Sequence, residues 1–166
     1  MKNIVLIGMP GCGKSTVGVV LAKNLAMDFV DSDLVIQKTM NKRLSALIEA
    51  YGDEGFREIE NRVNRDIQAE NSVIATGGSV VYGEEAMAHL KELGTVIYLQ
   101  LSYPQIEERL GNLHARGVTI KPGQTLRDLY DERCPLYERW ADMIVECDGK
   151  RIREVVLTIT GRLEGA

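Results

Sequence analysis

Gly8-Met9-Pro10-Gly11-Cys12-Gly13-Lys14-Ser15 follows directly on the apolar run Ile4-Val5-Leu6-Ile7. The stretch fits G-x-x-x-x-G-K-[ST], and beyond it Val17, Val20, Leu21, Asn24 and Leu25 recur at helical spacing with one polar exception. Strand, glycine-rich loop and helix in that order form a phosphate cradle. The glycines let successive backbone N–H groups turn inward, and the helix adds its positive dipole end. In this reading Lys14 reaches the β- and γ-phosphates of ATP and the Ser15 hydroxyl ligates Mg²⁺, with Gly11, Cys12, Gly13 and Thr16 completing the nucleotide contacts. An α/β domain that binds a mononucleotide is the starting point.

The remaining composition narrows the class. A chain of 166 residues is one domain of ordinary size, able to bury roughly 70% of the surface of its unfolded form without disulfides or a structural metal. A net charge of −4 offers no basic footprint for nucleic acid, so a small anionic ligand must be held by local arginines. Cys12, Cys134 and Cys147 are odd in number and lack metal-ligand spacing, and His89 and His114 lie far apart, which reads as a reduced, cytoplasmic protein without zinc. The apolar N-terminal stretch stops at Gly8, so it reads as a first strand and not a signal peptide, and no run approaches a membrane span. A monomer is expected.

Strand and helix patterns alternate to the end of the chain. Phe29-Val30 reads as a second strand, followed by a helical pattern through Leu34, Ile36, Leu44, Leu47 and Ile48 and a long helix from about Asp53 to Glu70. Residues 72–75, 95–100 and 143–145 read as further strands, and 84–93, 103–110, 125–140 and 151–163 as helices. The segment 111–124, polar and without periodicity, reads as a mobile loop. Three motifs, Gly8 to Ser15, Asp31-Ser32-Asp33 and Gly77-Gly78-Ser79, each follow a strand. In an open parallel sheet such loops meet in the crevice outside the strands' carboxyl ends.

Several phosphate-loop classes drop out. The one Asn-Lys pair, Asn41-Lys42, continues with Arg43-Leu44 and lacks the aspartate of a guanine-reading motif, and no aspartate closes the third or fourth strand as in motor ATPases. A small kinase acting on a small acceptor remains. Asp31 is the candidate Mg²⁺-associated carboxylate, and Asp33, two residues on and on the same side in extended geometry, would orient an acceptor hydroxyl or take its proton. Arg57, with Glu60 one helical turn away to lock its guanidinium, and Arg133 are candidate anion-binding cations. A kinase for another small polyol, a sugar acid or a nucleoside monophosphate, and a non-catalytic ATP-binding partner protein, are the rival readings.

In order along the chain, Gly8 to Ser15, Asp31-Ser32-Asp33, Phe56-Arg57 with Glu60, Gly77-Gly78, Tyr98 to Ser102, Arg116, and Glu132-Arg133 with Pro135-Leu136-Tyr137 resemble the shikimate kinases. The resemblance implies a three-layer P-loop kinase fold with a five-stranded parallel sheet of order 2-3-1-4-5, a lid at about 111–124, and transfer of a phosphoryl group from ATP to shikimate. It implies that Asp33, Arg57, Arg133 and the Gly77-Gly78 backbone contact shikimate, with Ser79 beside them. It further implies that Lys14, Ser15 and Asp31 serve ATP and Mg²⁺, that Arg109 lies against adenine, and that Arg116 is the lid arginine, catalytic alongside Lys14 and Asp33. Two positions depart from the family's pattern. Ser79 stands where a third glycine is common, and the lid reads Arg116-Gly117-Val118-Thr119 in place of Arg-Pro-Leu-Leu. One further expectation concerns Cys12, whose place beside a helix N-terminus and a lysine favours a reactive thiolate that bound ATP would cover.

Overall fold

A computed structural model describes residues 2–110 and 121–165. The strands are β1 (Asn3–Ile7), β2 (Asp28–Asp31), β3 (Ser72–Ala75), β4 (Gly94–Gln100) and β5 (Met143–Glu146), and all pair in parallel in the order β2-β3-β1-β4-β5. The helices are α1 (Lys14–Leu25), α2 (Ser32–Met40), α3 (Leu44–Arg65), α4 (Glu84–Leu93), α5 (Tyr103–Leu110), α6 (Leu126–Trp140) and α7 (Ile152–Glu164). Every residue of β1 is buried, including neighbours that point to opposite faces, so the sheet is covered on both sides. Helix α1 packs on α7 and α3 on α4. This is the α/β architecture and strand order expected.

A second, smaller apolar cluster, Ile36, Leu47, Phe56, Ile59 and Val63, joins α2 to α3. It carries the wall of the site described below.

Two element boundaries differ from the sequence reading for local reasons. The pattern through Leu34 to Ile48 splits into two helices, because Asn41 turns left-handed (φ 52°) and ends α2, its backbone N–H donating to the Gln37 carbonyl. The long helix starts at Asp53 as expected, because Gly52 (φ 71°, ψ 179°), in a non-helical conformation that glycine adopts without a Cβ penalty, breaks α3 into a first stretch from Leu44 and a second that follows it. It stops at Arg65, not Glu70. Leu34, part of the expected apolar pattern, is exposed, whereas Ile36 is fully buried.

Candidate active site

The carboxyl ends of β1, β2 and β3 lie side by side, and Thr76 ties β3 to β1, its hydroxyl and backbone N–H both donating to the Leu6 carbonyl at 2.8 and 3.2 Å. The loops leaving these strands line a cavity of about 320 Å³ that includes Pro10, Gly11, Lys14, Ser15, Asp33 and Glu60. Gly77, Gly78, Ser79 and Arg133 close its other side, and Leu44, Ile48 and Phe56 supply an apolar wall. That volume is at the small end for a ligand pocket and suits a small polar molecule beside a phosphate.

Gly13 caps α1 in the left-handed region (φ 96°) with no side-chain capping bond, so the helix opens with free N–H groups beneath the loop. Ser15 and Thr16 are exposed in the first turn. Lys14 is buried, and its ammonium donates to the Gly8 and Met9 carbonyls at 2.7 and 2.9 Å. Arg109, near the end of α5, donates to the Gly11 carbonyl at 3.2 Å and so lies along the outer side of the loop. The Cys12 side chain is 3% exposed and turns under the loop. The turn is tight enough that a methyl group on Gly8 would lie 2.8 Å from Cys12 Sγ. Only the backbone of Cys12 can face a phosphate, and the expectation of an accessible thiol is corrected.

The two aspartates are arranged by a helix start and not by strand alternation. Asp31 ends β2 and caps α2, its Oδ1 accepting the Asp33 N–H at 3.0 Å, so Ser32 and Asp33 are already helical. The second Asp31 oxygen is left for other partners. Burial, and after it the Asp31 carboxylate, raise the Asp33 pKa, while the nearby Lys14 opposes them.

Glu60 is 2% exposed and reaches the same place from α3. A methyl group on Gly77 would lie 2.8 Å from Glu60 Oε2 and 2.9 Å from Asp33 Oδ1, so only a glycine fits where the two carboxyls converge. At Gly78 a methyl would meet the Pro10 ring at 2.7 Å and Arg133 Nη1 at 3.1 Å, again leaving bare backbone facing the cavity. Tyr137, fully buried on α6, donates its hydroxyl to the Gly78 carbonyl at 2.6 Å and holds this loop against the phosphate loop.

Arg57 and Glu60 do not form the pair expected from their helical spacing. Ser79 donates its hydroxyl to Glu60 Oε1 at 2.5 Å, while the Arg57 guanidinium stacks on the Tyr82 ring, 3.8 Å from its centroid. Burial pushes Glu60 up to about 7, with the Ser79 hydroxyl pulling down and Asp33 pushing further up. Arg133 is 1% exposed. Burial opposes its charge, but the phenols of Tyr137 and Tyr82 more than offset that and keep it above its ordinary value.

Ser15, Asp33, Gly77, Gly78, Ser79 and Arg133 therefore meet Lys14 around one cavity, with Asp31 capping the helix that carries Asp33. Arg57 sits at its margin with Tyr82, and Arg109 on the far side of the loop. Arg116 and residues 111–120 of the expected lid lie outside the described residues. Sequence reasoning missed Tyr82 as part of the site, named Tyr137 only within a motif and without a role, and gave Glu60 a partner other than Ser79. The signal for Tyr82 was its place three residues after Ser79.

A shikimate kinase model matches residues 10–164. The shikimate kinase of Thermodesulfovibrio yellowstonii is 39% identical over 167 residues, covering 99% of this chain and 96% of that one. Among solved structures, the shikimate kinase of Acinetobacter baumannii in complex with shikimate superposes with a TM-score of 0.89 at 31% identity, covering 99% and 94% of the two chains. The shikimate kinase of Aquifex aeolicus superposes with a TM-score of 0.85 at 34% identity, covering 98% and 96%. With the family's motifs gathered at the mouth of a sheet of the family's strand order, the chain belongs to the shikimate kinase family.

Proposed function

We propose that this protein transfers the γ-phosphoryl group of ATP to the 3-hydroxyl of shikimate, as a monomeric cytoplasmic enzyme of one domain. The observation that carries the reading is one cavity lined by Lys14 and Ser15 on the nucleotide side and by Asp33 and Arg133 on the acceptor side. In-line transfer needs the attacking hydroxyl and the phosphoryl group held in one water-poor space, and little covalent help.

Asp33 orients the hydroxyl and accepts its proton as the new oxygen–phosphorus bond forms and ADP leaves. Its burial raises its pKa, which makes the ionised carboxylate a stronger base. Arg57 and Arg133 take the acceptor carboxylate, and the Gly77-Gly78 backbone, with no Cβ in the way, approaches the ring. Lys14 exchanges the Gly8 and Met9 carbonyls for phosphate oxygens. Ser15, exposed beside the loop, and the second oxygen of Asp31 fit a hydrated Mg²⁺, which when bound neutralises phosphate charge. Arg109 is assigned to the adenine, and Arg116, within a lid at 111–124, to the transferring phosphoryl group on the sequence resemblance.

The test is an ADP-release assay on the purified protein with shikimate and with a panel of sugars, sugar acids and nucleoside monophosphates. Shikimate-dependent ADP release that requires Mg²⁺ is expected. ATP binding with no turnover on any acceptor, or preference for another acceptor, overturns the proposal.

A further inference from the structure

Two acceptor-side arginines on different helices share one aromatic ring. Tyr82 lies in the short 3₁₀ turn after the Gly77-Gly78-Ser79 loop, and its own N–H donates to the Ser79 carbonyl at 3.1 Å. Its ring takes the Arg57 guanidinium at 3.8 Å from the centroid, and the Arg133 guanidinium, 5.5 Å from the centroid, donates a hydrogen bond to the Tyr82 phenol oxygen. The Tyr82 hydroxyl donates to Glu132 Oε1 at 3.0 Å, and the other Glu132 oxygen receives Gln124 Nε2 at 2.7 Å, so the ring cannot swing freely. Meanwhile Glu60, one helical turn beyond Arg57, accepts the Ser79 hydroxyl on one of its oxygens.

We propose that Tyr82 is a positioning residue that holds Arg57, and with it Arg133, in the orientation that receives the acceptor's carboxylate. The physical case turns on what kind of group does the holding. A carboxylate partner would fix a guanidinium but also neutralise it, and an incoming anion would have to compete. An aromatic face fixes the guanidinium by its quadrupole and leaves the in-plane N–H donors and the full formal charge available. Arg57 Nε is buried without a hydrogen-bond partner among the described residues, a donor the stack leaves unused. One ring shared by two like charges also sets their mutual spacing, which a bound carboxylate then bridges.

The proposal rests on the acceptor reading above, and two readouts keep their failures apart. The first needs no substrate. In the ¹⁵N-labelled full-length protein the Arg57 Nε–H resonance, assigned with Arg57→Lys, should be shifted upfield by the ring. Tyr82→Phe should keep that shift and Tyr82→Leu should abolish it. The second is kinetic. Tyr82→Leu should raise the acceptor KM at least tenfold, with kcat changed less than threefold and the ATP KM unchanged, and Tyr82→Phe, which keeps the ring but loses the hydroxyl contacts to Glu132 and Arg133, should raise the acceptor KM by a clearly smaller factor. An Arg57 resonance indifferent to Tyr82→Leu, an unchanged acceptor KM, or a Tyr82→Phe variant as impaired as Tyr82→Leu overturns the assignment. If wild type turned over no shikimate, the functional reading would fall, and the Arg57 resonance would still decide whether Tyr82 positions it.

Discussion

The Ser79 hydroxyl lies 2.5 Å from Glu60 Oε1 in a space where Asp33 Oδ1 and Glu60 Oε2 converge on Gly77. This places a carboxyl that burial has pushed up to about 7 beside the proposed base. Because the folded value lies above the ordinary 4.5, the native state binds this proton more tightly than the unfolded chain. The stability linked to that proton is fully present below about pH 4.5 and is lost as pH rises through about 7, by about 3 kcal/mol at 1.36 kcal/mol per unit. Glu60→Gln should remove this dependence. Urea unfolding of both proteins between pH 5 and 8 measures it, and parallel stability curves would contradict the assignment.

Asp33→Asn should keep the fold and ATP binding but lower kcat by about 10²–10⁴, the usual contribution of a positioned base. The amide is nearly isosteric with the acid and cannot accept the proton. Circular dichroism with the ADP-release assay separates folding from chemistry, and near-normal turnover at saturating acceptor would exclude the role.

Arg57→Ala and Arg133→Ala should each weaken acceptor binding by about 2–5 kcal/mol, the cost of truncating one partner of a desolvated charge pair, with ATP affinity unchanged. They should differ in stability. Arg133 is buried against Gly78, so its removal should also lower the melting temperature, whereas Arg57, half-buried at the margin, should leave it nearly unaltered. Calorimetric titration with shikimate and a thermal melt test both halves.

Lys14→Ala should abolish turnover and, in addition, destabilise the fold by about 1–3 kcal/mol, because the Gly8 and Met9 carbonyls lose a buried donor. Denaturant titration reads the second effect. An unchanged stability would mean that water replaces the ammonium without cost.

Thiol labelling should proceed first at Cys134, which is half-buried, and slowly at Cys12 and Cys147, which are buried. Peptide mass mapping of a time course gives the order. Rapid Cys12 modification that Mg-ATP suppresses would restore an accessible thiol at the nucleotide.

Much of this was legible in the sequence because it is local. Strand, glycine loop and helix between Ile4 and Leu25 are specified by neighbours, and so is the cap at Thr125, where the threonine and Asp128 bond each other's backbone. What failed depended on groups distant along the chain. Arg57 and Glu60 are one helical turn apart, but the partners that separate them, Tyr82 and Ser79, arrive from a loop after β3. Asp31 and Asp33 were related by strand geometry, yet the helix begins between them. By contrast, the start of the long helix at Asp53 was legible, since Gly52 takes a positive φ and a non-helical ψ that separate it from the stretch before. The sheet order itself came from the family resemblance, since alternating strands and helices are compatible with several orders.

The strand order also constrains how the chain can emerge from a ribosome. Of the five strands the earliest in sequence, β1, is the middle of the finished sheet, and Ile4 waits for Val73 on one side and Thr95 on the other. Until residues through β4 have been synthesised, Ile4-Val5-Leu6-Ile7 has no strand on its β4 side, and the phosphate loop that follows has no seat against Leu99. Pairings this distant form late, and an unpaired apolar strand is prone to association in the interval. Truncated nascent chains ending before residue 94 should therefore engage holding chaperones through their first few residues, and nucleotide affinity should appear only once the fourth strand has been added.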